Sequence, residues 1–195
     1  MMYTKYLEIL NNNNITNFYH FTNLSNLESI LENGIMNVLD MQKNNIQYLC
    51  SDKNRKDKHL GCISLSLSSS NKTMLFNKKE HSNSEWIVLE INAKEILKKH
   101  VNNMYFCKYN AASPSVISLL RNNKEFLKSP TAFKNMFNVN KEISYQAEIL
   151  LEGNIDVRDI TSVYTEDLQT KIIVEQLLLS ANIDYINVII KKEMF

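Results

Sequence analysis

Glycine is nearly absent from this sequence: its 195 residues include only Gly34, Gly61 and Gly153. The phosphate-cradling loops of dinucleotide-binding and Walker-type folds need several glycines clustered at one strand-to-helix turn, where a Cβ would keep the backbone away from the phosphates. Three scattered glycines supply neither loop, so if a nucleotide binds, something other than a glycine loop must hold it. Proline is equally scarce, at Pro114 and Pro130, and no Gly/Ser/Pro-rich stretch divides the chain. With 44% hydrophobic residues the chain is long enough for one real core, and a single domain over residues 1–195 is predicted.

A formal net charge of +1 hides a polarised chain: residues 1–141 hold 18 Lys/Arg against 11 Asp/Glu, and residues 142–195 hold 4 against 10, giving +7 and −6. Such asymmetry fits either a basic face for a polyanion or plain solvated surface. Cys50, Cys62 and Cys107 are odd in number and form no C-x-x-C pair, which suggests neither a disulfide framework nor a zinc knuckle and fits a reducing cytoplasm. No stretch approaches the ~18 consecutive apolar residues of a membrane span, and residues 1–10 lack the apolar core of an export signal, so neither export nor membrane insertion is expected.

The periodicities alternate between two and about 3.6 without a regular βαβ order. Residues 18–21 read as a short aromatic strand, followed by a helix on Leu24, Leu27, Ile30 and Leu31 that Asn33-Gly34 terminates. The lysine-rich stretch 37–60 reads as a mobile loop. Ile63, Leu65 and Leu67 then alternate with Ser64, Ser66 and Ser68 as in a half-buried strand, and residues 74–76 suggest a short helix. Strands are predicted over 86–91, 104–107, 147–151, 161–164 and 183–190. Helices are predicted over 93–99, from Ser113-Pro114 to Leu120, and over 166–179 with Thr165 as cap. The mixture implies an α+β fold.

Three places carry candidate chemistry. His20 lies at a strand end in Tyr19-His20-Phe21-Thr22, with Asn26 one turn into the following helix, so both polar groups can face one cleft. Glu148 enters an apolar strand in Tyr145-Gln146-Ala147-Glu148; with a period of two it shares a face with Gln146, while Ala147, Ile149 and Leu151 take the other. A carboxylate beside a core requires a partner or a chemical role, because burying an unpaired charge is costly. Arg55 is the single arginine before Arg121, and its planar fork suits phosphate or carboxylate. His59, His81 and His100 lack metal-ligand spacing, so no metal is expected.

Read in order, these blocks resemble the DarT family of DNA ADP-ribosyltransferase toxins. The run from Tyr19 to Ile35 is similar to that family's "YH-x-T…NL..IL..G" opening. Ile63 to Leu67 with Met74-Leu75 is similar to its "FYF…ML" segment. Phe106 to Ala112 and Gln146 to Leu150 are similar to its "FTDxNA" and "QAEFLV" segments. The ordered set covers residues 18–165.

The resemblance implies an ADP-ribosyltransferase-like split β-sheet with flanking helices, in which NAD+ as co-substrate lies in a cleft. It implies that His20, Thr22 and Asn26 bind the adenosine and nicotinamide-ribose end of NAD+, that Arg55 is the family's functional arginine, and that Glu148 is its catalytic glutamate. Tyr109, Asn110, Tyr145 and Gln146 would contact the acceptor, a thymine or guanine base of single-stranded DNA. The basic stretch 121–141 has charges for a nucleic-acid backbone, and its Phe126, Phe133 and Phe137 are either stacking rings or core. An antitoxin ADP-ribosyl hydrolase, of macrodomain or related type and on a separate chain, is implied as partner. Two other readings stay open: transfer to RNA or protein, and a catalytically inert module that binds single-stranded nucleic acid. A nuclease or phosphotransferase built on His20 and Arg55 ranks behind them, because it leaves Glu148 without a role.

Overall fold

The structure, a computed structural model, describes residues 2–49, 59–67, 75, 84–137 and 146–195. Arg55, Tyr145, Cys50 and most of the stretch predicted as a short helix at 74–76 lie outside the described residues; Leu75 is buried.

The chain opens with helix α1 (Met2–Asn12), which is absent from the elements predicted above although Tyr3, Tyr6, Leu7 and Leu10 recur at helical spacing; Tyr6 and Leu10 are buried. Strand β1 (Asn17–Asn23) then runs through a 3-10 turn into α2 (Leu27–Asn33). Gly34 stops α2 with φ of +77°, and a Cβ built there would stand 2.3 Å from the carbonyl oxygen of Ile155. No side chain fits, and the close approach allows Ile35 to pair with Ile155 in an isolated bridge. The stretch predicted as a loop contains a helix, α3 (Val38–Lys43), whose start is fixed when the Asn37 side chain accepts from the Asp40 amide at 3.0 Å.

Strands β2 (Cys62–Leu65) and β3 (Trp86–Asn92), helix α4 (Ala93–His100) and strand β4 (Met104–Cys107) follow. Ser113 caps α5 (Pro114–Asn122), with proline in its first turn as the sequence predicts. The basic stretch folds into two short helices, α6 (Lys124–Leu127) and α7 (Pro130–Lys134). Strands β5 (Glu148–Glu152) and β6 (Ile160–Thr165), helix α8 (Leu168–Ser180) and strand β7 (Asn187–Ile190) complete the chain. Two expectations shift here. Asp167, not Thr165, caps α8 by accepting from the Thr170 amide at 2.8 Å, because Thr165 is fully buried as the last residue of β6. The last strand is shorter than 183–190, because Asn182, at φ of +55°, turns the chain after α8.

These strands form two sheets, one ordered β1-β3-β6-β7 and the other β2-β5-β4. All pairings are antiparallel except β6 with β7, which are parallel and joined through α8 as a crossover. One hydrophobic cluster takes residues from both sheets, including Phe18, Leu89 and Val163 from the first and Leu65, Phe106 and Ile149 from the second. A second cluster covers the other face of the smaller sheet with α5 and α6. Among the described residues the sheets' edges pair through one backbone bridge: Tyr19 and Ser66 exchange two backbone hydrogen bonds of 2.9 Å. Beyond that bridge β1 and β2 part, which is the split sheet that the resemblance implies. Among the described residues no helix is long and apolar enough to cross a membrane.

Candidate active site

Glu148 stands at the mouth of the split because of strand alternation. Ala147, Ile149 and Leu151 are buried in the shared core, so Glu148 takes the face it shares with Leu150. In register, Ser64 of β2 lies opposite Leu150 and Cys107 of β4 lies opposite Glu148. The central strand of the smaller sheet thus presents its first carboxylate between two neighbours. The Ser64 hydroxyl donates to Oε1 of Glu148. The Ala111 backbone amide donates to Oε2 at 2.7 Å.

The loop after β4 is shaped for that second contact. The Asn110 side chain accepts from the Ala112 amide at 2.8 Å, and the Asn110 carbonyl accepts from the Ser113 amide at 2.9 Å. This short side-chain turn aims the Ala111 N–H at the carboxylate. Tyr109 beside it is 42% exposed, with the Lys108 ammonium 5.7 Å from its ring centre. Gln146 lies in the turn leading into β5.

His20 approaches from the other sheet. Its Nδ1 is 2.9 Å from the carbonyl oxygen of Ser64, so β1 contacts the same residue of β2 that contacts Glu148. A groove at the split is lined by Tyr19, Phe21, Ser64, Leu65, Ser66, Ala147 and Glu148. Aromatic faces beside hydroxyls and a carboxylate suit a nucleoside, whose ring needs stacking and whose sugar needs hydrogen-bond partners.

Thr22 and Asn26 are also brought together, but they bond to each other and to the chain itself. The Asn26 amide donates to the Thr22 hydroxyl at 3.0 Å and to the Leu49 carbonyl at 3.1 Å, and its oxygen accepts from the Leu49 amide at 2.7 Å. Asn26 therefore clasps the backbone just ahead of the stretch that carries Arg55.

One further residue belongs here that the sequence motifs do not single out. Glu90, on the central strand β3, accepts from Asn17 at 2.8 Å, from the Tyr164 hydroxyl at 2.9 Å and from the Thr161 hydroxyl at 3.0 Å. Its register partner Tyr19 lines the groove, and burial first, then the charge and hydrogen bonding of Glu90, push the Tyr19 phenol above its ordinary range. Tyr164 is raised by burial and then by the same carboxylate. A signal for it exists: Glu90 is the sole charged residue of the strand Trp86–Asn92 and interrupts its apolar run.

The basic stretch shows which phenylalanines are core. Phe133 is fully buried, 4.4 Å from the Phe106 ring centre, and Phe126 and Phe137 pack partly buried against the same cluster. Arg121, Lys124 and Lys134 are exposed on the helices outside it. Among the described residues no three His, Cys, Asp or Glu side chains are grouped as metal ligands are.

Comparisons with known proteins bear on the family and the fold. A family model described as ssDNA thymidine ADP-ribosyltransferase, DarT, matches residues 19–195. No curated protein matches the chain. Among solved structures, Thermus sp. 2.9 DarT in complex with ADP-ribosylated ssDNA aligns with a TM-score of 0.66 at 13% identity, over 93% of this chain and 97% of that one. The same protein in complex with NAD+ aligns with a TM-score of 0.63 at 13% identity, over 92% and 97%. Thermosipho africanus DarTG in complex with ADP-ribose aligns with a TM-score of 0.62 at 19% identity, over 92% of this chain but 51% of that one. The chain thus spans about half the length of the Thermosipho protein.

Proposed function

Because the chain belongs to the DarT family of ssDNA thymidine ADP-ribosyltransferases, we propose that it transfers ADP-ribose from NAD+ to a thymine base of single-stranded DNA, with release of nicotinamide. The observation that carries this reading is the Glu148 carboxylate, held at a groove mouth by Ser64 and Ala111 with His20 reaching in from the opposite sheet. The Thermus relative, in complex with NAD+ and with ADP-ribosylated ssDNA, supports both substrates.

Cleavage of the bond between nicotinamide and ribose C1′ sends the bonding pair to nicotinamide and leaves positive charge on the ribose. Glu148, hydrogen-bonded to a ribose hydroxyl, stabilises that charge electrostatically. A base nitrogen then bonds to C1′ and loses its proton, for which the same carboxylate is a suitable acceptor. His20 binds the nicotinamide-ribose end. Thr22 and Asn26 serve the nucleotide by holding Leu49, and Arg55 pairs with the diphosphate bidentately. Tyr109, Asn110, Tyr145 and Gln146 contact the base, with Tyr109 as the stacking face and Asn110 acting through the turn it forms. Arg121, Lys124 and Lys134 attract the DNA backbone.

One domain over residues 1–195 performs the reaction, and it acts in the cytoplasm, which an odd cysteine count with no C-x-x-C pair fits. A DarTG relative that binds ADP-ribose supports an antitoxin partner, an ADP-ribosyl hydrolase of macrodomain or related type that removes the lesion. Mass spectrometry after incubation with NAD+ and oligonucleotides of each base tests the reading. A thymine oligonucleotide should gain one ADP-ribose, and Glu148→Ala should lose the product. Adduct on guanine, RNA or protein alone would move the acceptor, and DNA binding without nicotinamide release would reduce the chain to a binding module.

A further inference from the structure

We propose that Ser64 is a positioning residue, fixing the Glu148 carboxylate from one side and the His20 ring from the other, so that the two halves of the site are set by a single residue of β2. The inference rests on the activity proposed above and adds to it a residue to which the resemblance assigns no role.

Ser64 is an anomaly where it stands. Its neighbours Cys62, Ile63 and Leu65 are buried, and its cross-strand partner Leu150 is fully buried. An aliphatic side chain there would extend the apolar cluster of Cys62, Cys107 and Leu150. A hydroxyl in that setting requires a partner, and Glu148, diagonal to Ser64 on the same face of the sheet, is it.

The two hydrogen bonds to Glu148 come from different elements and reach different oxygens: Ser64 of β2 on Oε1, and the amide of Ala111 after β4 on Oε2. With its Cα fixed on β5 as well, the side chain is pinned at three points. Its carboxylate plane is therefore set before substrate arrives. Preorganised charge is worth most when no reorganisation accompanies the developing cation, which is the transition state assigned to this reaction. The Ser64 carbonyl meanwhile receives His20 at 2.9 Å. Hydroxyl and carbonyl of one residue thus tie a carboxylate of the smaller sheet to an imidazole of the larger one.

The test is a pair of full-length variants, Ser64→Ala and Ser64→Thr, assayed for nicotinamide release and DNA adduct. Ser64→Ala should lower kcat by about 10²-fold, the scale of a misplaced catalytic group, with little change in KM for NAD+. Ser64→Thr keeps a hydroxyl and should recover most of the loss. Wild-type kcat in Ser64→Ala, or equal losses in the Ala and Thr variants, would each overturn the inference. If the wild type itself forms no adduct, the proposed activity fails, and Ser64 is still decided by crystal structures. The Glu148 carboxylate should leave the Ala111 amide in Ser64→Ala and keep it in Ser64→Thr; an unmoved carboxylate in Ser64→Ala overturns the role.

Discussion

His20 Nδ1 lies 2.9 Å from the carbonyl oxygen of Ser64, across the gap where the two sheets part. A carbonyl only accepts, so Nδ1 is the donor in this contact. The contact sets the ring orientation.

His20→Ala should therefore weaken NAD+ binding by about tenfold, roughly one hydrogen bond to the nucleotide, while the fold stays intact. Calorimetric titration of NAD+ measures this. An unchanged Kd would remove His20 from the nucleotide site.

Gly34→Ala should destabilise the protein by at least about 1–3 kcal/mol, because alanine meets both a positive φ and the Ile155 carbonyl oxygen at 2.3 Å. Gly61→Ala, whose Cβ would meet only the Leu39 side chain at 3.4 Å, is the control and should be nearly neutral. Urea midpoints compare the two, and equal midpoints would show that α2 has another way to end.

Stability should fall on the alkaline side. Burial first, then the neighbouring carboxylate, raises Tyr105 beside Glu152 and Tyr164 beside Glu90. Each keeps its proton in the folded chain at a pH where the unfolded chain, near its ordinary value of about 10, releases it. The stability they contribute is complete below that value and is lost as pH rises through the folded-state values. Urea midpoints should thus decline above about pH 10, and Tyr164→Phe should flatten the decline. A midpoint independent of pH across that range would contradict the assignment.

Replacing exposed Lys124 and Lys134 by alanine should weaken binding to single-stranded DNA, with melting temperature nearly unchanged. The salt dependence should flatten by about one counterion unit for each phosphate that is no longer neutralised. Phe133→Ala, by contrast, should cost about 3–5 kcal/mol of stability, since the ring is core. Fluorescence anisotropy against salt concentration separates them. A lysine variant with unaltered salt slope would place the DNA on another surface.

How much of the site is legible in the sequence depends on the range of each signal. Glu148 and His20 stand out because alternation and flanking aromatics are local patterns. Helix α3 is hidden in a lysine-rich stretch, since its start depends on the Asn37 side chain and not on an apolar stripe. Ser64 is invisible for the opposite reason. Alternating serine and leucine reads as a strand with serines toward water, and only the pairing of β2 with β5, 84 residues distant in sequence for Ser64 and Glu148, turns one hydroxyl toward a carboxylate. Asn26 reads in the sequence as a polar group facing a ligand, whereas its amide holds Leu49.

The bridge between Tyr19 and Ser66 gives the protein an internal seam. Two hydrogen bonds join the edges of the sheets, and the groove begins where they stop. Amide exchange at those two positions reports the opening of that seam separately from unfolding of the strands on either side. A nucleotide wedged at its end should slow both amides together, which makes occupancy of the groove readable from the backbone alone.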